Sequence, residues 1–293
     1  MAYEEFSSVE ICSVNTLIDF IKANSMKKYH HTTHAMTWYR GQSNYEWHLE
    51  PAVYRGDQFG KEIIYIKEFE RTRPSEFLYD NNFDKLVKMQ HYGLPTRLLD
   101  ITSNPLVALY FACANNLDKD GAFYYFSTPT FWEDNWAINI ITNYVFNPER
   151  NLDELFRREY ESPLFPSEFK DPAIAEQIIL HTLSVPAHAV LPKLSNQRII
   201  QQSGGFLLFG MSIDKIEVSR EAGTYGIKYI DFSKLDYKQE SNLCPTIKKI
   251  KIPAQYKESI LHELDLLNIN EGFLFPELEY QAKRIIKHIQ EIS

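Results

Sequence analysis

The segment 89–105, with the sequence MQHYGLPTRLLDITSNP, concentrates side chains that can bind a ligand or take part in a reaction. Those with a charge, a titratable ring, an amide or a hydroxyl are Gln90, His91, Tyr92, Thr96, Arg97, Asp100, Thr102, Ser103 and Asn104. An arginine fork suits phosphate or carboxylate, and an imidazole titrates near neutral pH. A carboxylate can act as a base or stabilise positive charge. The segment therefore predicts a site for an anionic or polar ligand.

Two helices are predicted to hold this segment against the core. The upstream helix has buried positions at helical spacing, occupied by Phe83, Leu86, Val87 and Gln90. Gln90 thus lies where the period expects a core residue, and Gly93 ends the helix. Downstream, Ser103 or Asn104 caps a helix that has Pro105 at its first position and is apolar nearly all round. We expect a polar loop between these helix ends.

A second candidate group lies earlier, in the segment AMTWYRGQ at 35–42. Its alternation predicts a strand with Arg40 at the end of an aromatic run. Gly41 has no side chain, so another group can approach the backbone closely. Arg40 either faces a ligand or forms a structural ion pair with Asp100 or Glu50, because a buried charge needs a partner. We expect Arg40 to share one polar cluster with the charged and amide residues of 89–105, namely Gln90, His91, Arg97 and Asp100.

Composition limits the classes of function. The chain has 293 residues, of which 44% are hydrophobic, enough for a sizeable core. Its net charge of −8 argues against a sequence-independent DNA coat but leaves room for a local basic pocket. The three cysteines are far apart, as in proteins with reduced thiols. The longest apolar run, 105–114, is too short to cross a bilayer, which takes ~20 residues, and no signal peptide is apparent. We expect a cytoplasmic protein without a membrane partner.

The order of elements predicts an α+β fold with a central, mostly antiparallel sheet and flanking helices, because strands cluster late and no regular βαβ alternation occurs. The predicted strands are 37–40, 122–127, 206–209, 225–232 and 247–252. We interpret 1–293 as one domain in which 131–175 forms a helical insertion or lid with few sheet contacts. His30 and His34 have a spacing that could hold a metal on a helix, but Thr32 and Thr33 favour a loop, so no metal site is predicted.

The motif WYRGQ at 38–42, the run QHYGLPTRLLD at 90–100 and Asn104-Pro105 resemble the FRG domain family. A later R-x-x-x-Q-x-G-x-F element is similar to Arg198, Gln202, Gly204 and Phe206, and a terminal element resembles LFPEL at 274–278. The resemblance covers nearly the whole chain, although 128–194 carries no family landmark. It implies more about the fold than about the activity.

The layout is also distantly similar to that of ADP-ribosyltransferases, in which an early strand-borne Arg or His grips NAD and a late acid polarises the ribose. This resemblance implies that Arg40 holds NAD and that His91 and Tyr92 line the nicotinamide-ribose side. It also implies that Glu277, with Asp100 as the runner-up, stabilises the developing positive charge. Further cofactor contacts are expected from Gln42, Gln90, Thr96 and Arg97. Glu277 departs from the pattern because it precedes a helix, where an acid can simply complement the helix dipole.

Three hypotheses follow. The first is an NAD-binding ADP-ribosyltransferase-like protein, acting as a bacterial toxin or a phage-defence effector. The alternative is a module that senses a nucleotide or a nucleic-acid end without catalysis. In the third, the polar residues form a structural network and function lies on another surface. The first two predict a nucleotide-type small molecule as the ligand, and the target of any transfer stays open.

Overall fold

The computed structural model describes residues 3–24, 35–147, 152–169, 171–210 and 247–291. The strands are β1 (Tyr3–Glu10), β2 (Ala35–Gln42), β3 (Leu98–Thr102), β4 (Gly121–Trp132), β5 (Ala187–Leu191), β6 (Gly204–Phe209) and β7 (Ile247–Ile252). The helices are α1 (Val14–Asn24), α2 (Glu62–Thr72), α3 (Asn82–His91), α4 (Pro105–Cys113), α5 (Trp136–Phe146), α6 (Leu152–Tyr160), α7 (Pro172–Ser184), α8 (Gln197–Gln201), α9 (Lys257–Leu266), α10 (Glu271–Leu274) and α11 (Leu278–Glu291). None of the described helices is long and apolar enough to cross a membrane.

The described strands form one seven-stranded sheet in the order β1-β7-β4-β2-β3-β6-β5. Its pairings are antiparallel except for β1 with β7 and β4 with β5. The predicted mixed fold with a mostly antiparallel sheet is therefore confirmed. The predicted strands at 37–40, 122–127, 206–209 and 247–252 coincide with β2, β4, β6 and β7. The one at 225–232 lies outside the described residues.

The long strand β4 closes part of the sheet into a ring. Along its first half it pairs with β2 and β7, and its last residues, Thr130 to Trp132, run parallel to β5. Because β5 continues the sheet through β6 and β3 back to β2, these five strands enclose a continuous circuit. The first two residues of the predicted insertion at 131–175 are the last two residues of β4. The rest of it is mostly helical, with α5 packed on α3 and α7.

Alternation along β2 and β4 divides the buried residues into two clusters, one on each face of the sheet. Trp38 and Tyr124 belong to the cluster that includes residues of α3, α5 and α7. Tyr39 and Phe123 belong to the other, with residues of α1, α4 and α9. Arg40, two residues beyond Trp38 in β2, is therefore directed to the face opposite α4.

Gly41 allows α4 to pack directly on β2. A Cβ atom at this position would lie 1.8 Å from the backbone oxygen of Ala108 and 2.5 Å from the backbone nitrogen of Ala112. The close approach expected at Gly41 is thus that of a helix. The start of α4 follows the prediction, because Asn104 Oδ1 accepts a hydrogen bond from Leu106 N at 2.9 Å and Pro105 occupies the first turn.

The polar loop expected between α3 and α4 is in part a strand. Leu98–Thr102 forms β3, which pairs along its length with β6. Leu98, Leu99 and Ile101 are buried, whereas Asp100 is exposed. The expectation of a loop was wrong here. A strand of only five residues with a charged residue at its centre does not show the alternation that would distinguish it from a polar loop in the sequence.

Candidate functional site

A chain of hydrogen bonds connects the end of α3 to β3. The Thr96 hydroxyl accepts from Leu98 N at 3.2 Å and donates to Gln90 Oε1 at 2.5 Å. The Gln90 amide is thereby oriented so that its Nε2 donates to Asp100 Oδ1 at 3.0 Å. Gln90 is partly buried and is not one of the core residues of α3, and its side chain holds a carboxylate. Thr96 is buried and acts through Gln90.

Arg40 connects β2 to β3 where these strands separate. Among the described residues their ladder pairs Tyr39 with Thr102 and extends no further. The Arg40 guanidinium donates through Nη1 to the Asp100 carbonyl oxygen at 2.5 Å. Its buried Nε has no hydrogen-bond partner in the described part of the chain. Burial lowers the pKa of Arg40, and the Asp100 carboxylate opposes that shift. Arg40 therefore keeps binding capacity beyond its contact with β3.

A pocket of about 200 Å³ opens beside Arg40, and we call it the Arg lobe. Three described arginines line it: Arg40 from β2, Arg55 from the loop after β2, and Arg198 from α8. The other lining residues are Tyr39, Gly41, Gln42, Ser43, Trp47, Asp100, Ile101, Thr102, Val107, Phe111 and Gln202. Planar guanidinium groups match phosphate and carboxylate oxygens in pairs, so this lobe suits an anion.

A second pocket of about 130 Å³, the His lobe, lies on the other side of Asp100. It is lined by Val87, Gln90, His91, Asp100, Ile101, Asn196, Arg198, Ile199, Gln202, Gly204, Gly205 and Phe206. The two lobes share Asp100 and Ile101 from β3 together with Arg198 and Gln202. They therefore adjoin along a common wall that carries both a carboxylate and a guanidinium, and we call the two lobes together the groove.

The part of this wall that comes from α8 is held by the C-terminal region. Gln202 Nε2 donates to the Leu274 carbonyl oxygen at 3.0 Å, and the Arg198 guanidinium lies 4.8 Å from the centre of the Phe275 ring. Arg198 and Gln202 were not among the predicted site residues. Their signal was the R-x-x-x-Q-x-G-x-F element, whose arginine and glutamine both reach the groove.

Arg97 does not join the cluster with Arg40. It is 4% exposed, and its Nε and Nη2 donate to the two carboxylate oxygens of Glu62 at 3.0 and 2.5 Å. Its Nη1 donates to the Phe209 carbonyl oxygen at 3.2 Å. Burial alone would lower the pKa of Arg97, but Glu62 more than offsets this and the pKa is raised. Arg97 thus connects α2 to the end of β6 as a structural ion pair.

His91 and Tyr92 separate at the end of α3. His91 lines the His lobe, whereas Tyr92 is 70% exposed and lines a different pocket with Phe69 and Phe77. Their rings touch at a centroid distance of 5.2 Å. The expectation that both line one side of a ligand is not met by this geometry.

The remaining predicted residues divide between the groove and its surroundings. Gln42 lines the Arg lobe, but its amide is already engaged, with Nε2 donating to the His48 carbonyl oxygen at 3.2 Å. Glu277 immediately precedes α11 and is not among the described lining residues of either lobe. Of the two candidate acids, Asp100 is the one at the groove. The described residues contain no group of three or more metal-ligating side chains.

A family model of the FRG domain matches residues 35–121, in agreement with the resemblance of the sequence motifs. No curated protein and no solved structure matches the chain significantly. These comparisons give no support to the similarity to ADP-ribosyltransferases. The matched segment contains Arg40, Gln90, His91 and Asp100, whereas Arg198 and Gln202, which share the common wall with Asp100, lie beyond it.

Proposed function

We propose that the groove binds a nucleotide-type ligand, with a phosphate group in the Arg lobe. The observation that carries this proposal is the convergence of Arg40, Arg55 and Arg198 on one pocket of a chain whose net charge is −8. Because the chain as a whole is acidic, an arginine cluster of this kind is a local feature suited to an anion. Arg40 lines this lobe, and its buried Nε has no hydrogen-bond partner in the described part of the chain.

NAD is the first ligand to test. Each pocket, of about 200 and 130 Å³, is smaller than a typical small-molecule site, but together the two adjoining pockets reach the lower end of that size range and could take a ligand with two parts. The phosphates would lie against the arginines, and the nicotinamide ring would occupy the His lobe. There Gln90, His91 and Asn196 offer hydrogen-bonding groups. The order of polar residues along the chain, similar to that of ADP-ribosyltransferases, supports the same choice.

In such a reaction the bond between the ribose C1 and the nicotinamide nitrogen breaks, and nicotinamide leaves with the bonding electrons. The ribose carbon becomes positively charged until a nucleophile from a target or from water adds to it and gives up its proton. Asp100 is placed between the lobes, with one carboxylate oxygen held by Gln90, and would stabilise this charge. Removing a preorganised electrostatic group of this type costs roughly a hundredfold to a thousandfold in rate.

Binding is tested with the purified chain by calorimetric titration of NAD and of AMP. We expect Arg198→Gln and Arg55→Gln each to weaken binding by roughly tenfold to a hundredfold, the value of a hydrogen bond to a charged group. Arg73→Gln is the matched control, since Arg73 is exposed and lies outside the groove. The proposal is wrong if neither ligand binds, or if Arg73→Gln weakens binding as much as the groove variants do.

Turnover is tested by mass spectrometry of NAD, nicotinamide and modified protein after incubation. We expect Asp100→Asn to slow the release of nicotinamide roughly a hundredfold to a thousandfold while NAD still binds, and Glu277→Gln to retain most of it. If Glu277→Gln loses the release of nicotinamide and Asp100→Asn retains it, Glu277 is the catalytic acid and Asp100 is not.

A second candidate function is recognition of a nucleotide without turnover. The observation in its favour is that Glu277, the late acid expected from the chain order of ADP-ribosyltransferases, is absent from the described lining of the groove. Binding of NAD without release of nicotinamide, in the presence of cell extract as a source of acceptors, would support this candidate over the first.

A further inference from the structure

Trp47 is an exposed aromatic side chain at the edge of the Arg lobe. It is 47% exposed and lines the same pocket as Arg40 and Arg55. Indole is the largest aromatic surface available to a protein, and an exposed ring forgoes the free energy of burial. Nothing in the proposed phosphate binding uses this ring.

The backbone that carries Trp47 is firmly held, so the exposure of the ring does not follow from a loosely attached loop. The buried hydroxyl of Tyr124 lies 3.2 Å from the Trp47 carbonyl oxygen, and Trp47 N donates to the Asn44 carbonyl oxygen at 3.3 Å. At the start of the same loop, the Lys257 ammonium donates to the Ser43 carbonyl oxygen at 2.8 Å. The backbone that carries the indole is therefore held beside the arginines.

We propose that Trp47 stacks on the nucleobase of the ligand whose phosphate the arginines bind. This inference rests on the proposed function and makes it more specific, because it assigns the Arg lobe to a nucleoside phosphate rather than to inorganic phosphate or a sugar phosphate. Every base has a flat face that can stack on an aromatic side chain, whereas a phosphate or a ribose alone has none. Trp47 is thus the residue that distinguishes these classes of anion.

The test compares AMP with ribose 5-phosphate, which carries the same ribose and phosphate without the base. We expect AMP to bind the wild-type chain about tenfold more tightly, in the range found for stacking of one base. Trp47→Leu should remove that preference by weakening AMP about tenfold and leaving ribose 5-phosphate unchanged. Trp47→Phe should restore part of it, because a phenyl ring still stacks.

Trp132→Leu is the matched control, since Trp132 is 61% exposed and is not a described lining residue of the groove. AMP should quench the tryptophan fluorescence of the wild type and of Trp132→Leu, and should do so far less in Trp47→Leu. Unchanged discrimination between AMP and ribose 5-phosphate in Trp47→Leu would overturn this inference while leaving phosphate binding intact. Failure of both compounds to bind the wild type would overturn the proposed function itself. Retained ribose 5-phosphate binding by Trp47→Leu shows that the variant is folded.

Discussion

Arg97 and Glu62 are 35 positions apart in the chain and form a buried, bidentate ion pair. We expect Arg97→Met to lower the free energy of unfolding by about 3–5 kcal/mol, because the Glu62 carboxylate is left buried without its partner. The double variant Arg97→Met/Glu62→Leu should regain most of that loss, since replacing both charges with apolar groups removes the cost of burying them. Urea denaturation followed by circular dichroism measures both.

The control at this scale is Arg71→Met, which breaks an exposed pair with Glu68. Solvent screens such a pair, so no measurable change is expected. Equal effects of the Arg71 and Arg97 variants would contradict a structural role for Arg97. The sequence did not predict this role, because a partner on a helix distant in the chain cannot be inferred from local spacing. Gln90 was predicted to face inward because its position depends only on the period of its own helix.

The packing of α4 on β2 depends on the absence of a side chain at Gly41. We expect Gly41→Ala to destabilise the fold by about 3 kcal/mol or to prevent folding, because its Cβ would lie 1.8 Å from a backbone oxygen that cannot rotate away. Gly60→Ala is the control, since a Cβ at Gly60 would meet no atom within 4 Å and its φ is not positive. Thermal unfolding compares the two, and an unaffected Gly41→Ala protein would contradict the close helix packing.

A buried histidine in β5 makes stability depend on pH. Burial lowers the pKa of His188 from 6.5 to about 4, although the Thr182 carbonyl oxygen, 3.1 Å from its Nε2, partly opposes the shift. The unfolded chain therefore takes up a proton at a higher pH than the folded chain does. The stability due to neutral His188 is complete above pH 6.5 and is lost as the pH falls towards 4, by up to about 3 kcal/mol.

The measurement is the urea midpoint at pH 7 and at pH 4.5 for the wild type and for His188→Gln. Glutamine can still donate to the Thr182 carbonyl oxygen but does not titrate. The variant should lose less stability between these pH values than the wild type loses. Identical losses in the two proteins would show that His188 does not contribute to the acid sensitivity.

Among the elements, α3 and α4 were predictable because their boundaries are encoded locally. Gly93 has a positive φ of 87° after α3, and Asn104 caps α4 through its own side chain. In contrast, β3 was missed because its identity as a strand depends on pairing with β6, which follows about a hundred residues later. The exposed position of the Trp47 ring was missed for the same reason, because the loop that carries it is held by contacts with β4 and α9, which are distant in sequence.

For the whole molecule, the segment 35–121 that matches the FRG family model is only part of the ring of strands. It contains β2 and β3 but lacks β5, β6 and all but the first residue of β4. We expect a fragment 35–121 to be unfolded or insoluble and to bind no AMP, because the central partners of β2 and β3 are missing. A folded, ligand-binding fragment, detected by circular dichroism and calorimetry, would contradict this expectation.

The fold class could be predicted from the order of elements, but the closure of the ring could not, because it joins strands distant in sequence.

The shared wall between the two lobes also has a consequence for the timing of synthesis. A ribosome makes β2, α3 and β3 long before Arg198 and Gln202. The residues that hold them, Leu274 and Phe275, follow later still. Because domains fold as units during synthesis, the nascent chain has no complete groove until Leu274 and Phe275 have been translated. A chain released early by a truncated messenger RNA should therefore be unable to engage the ligand at all.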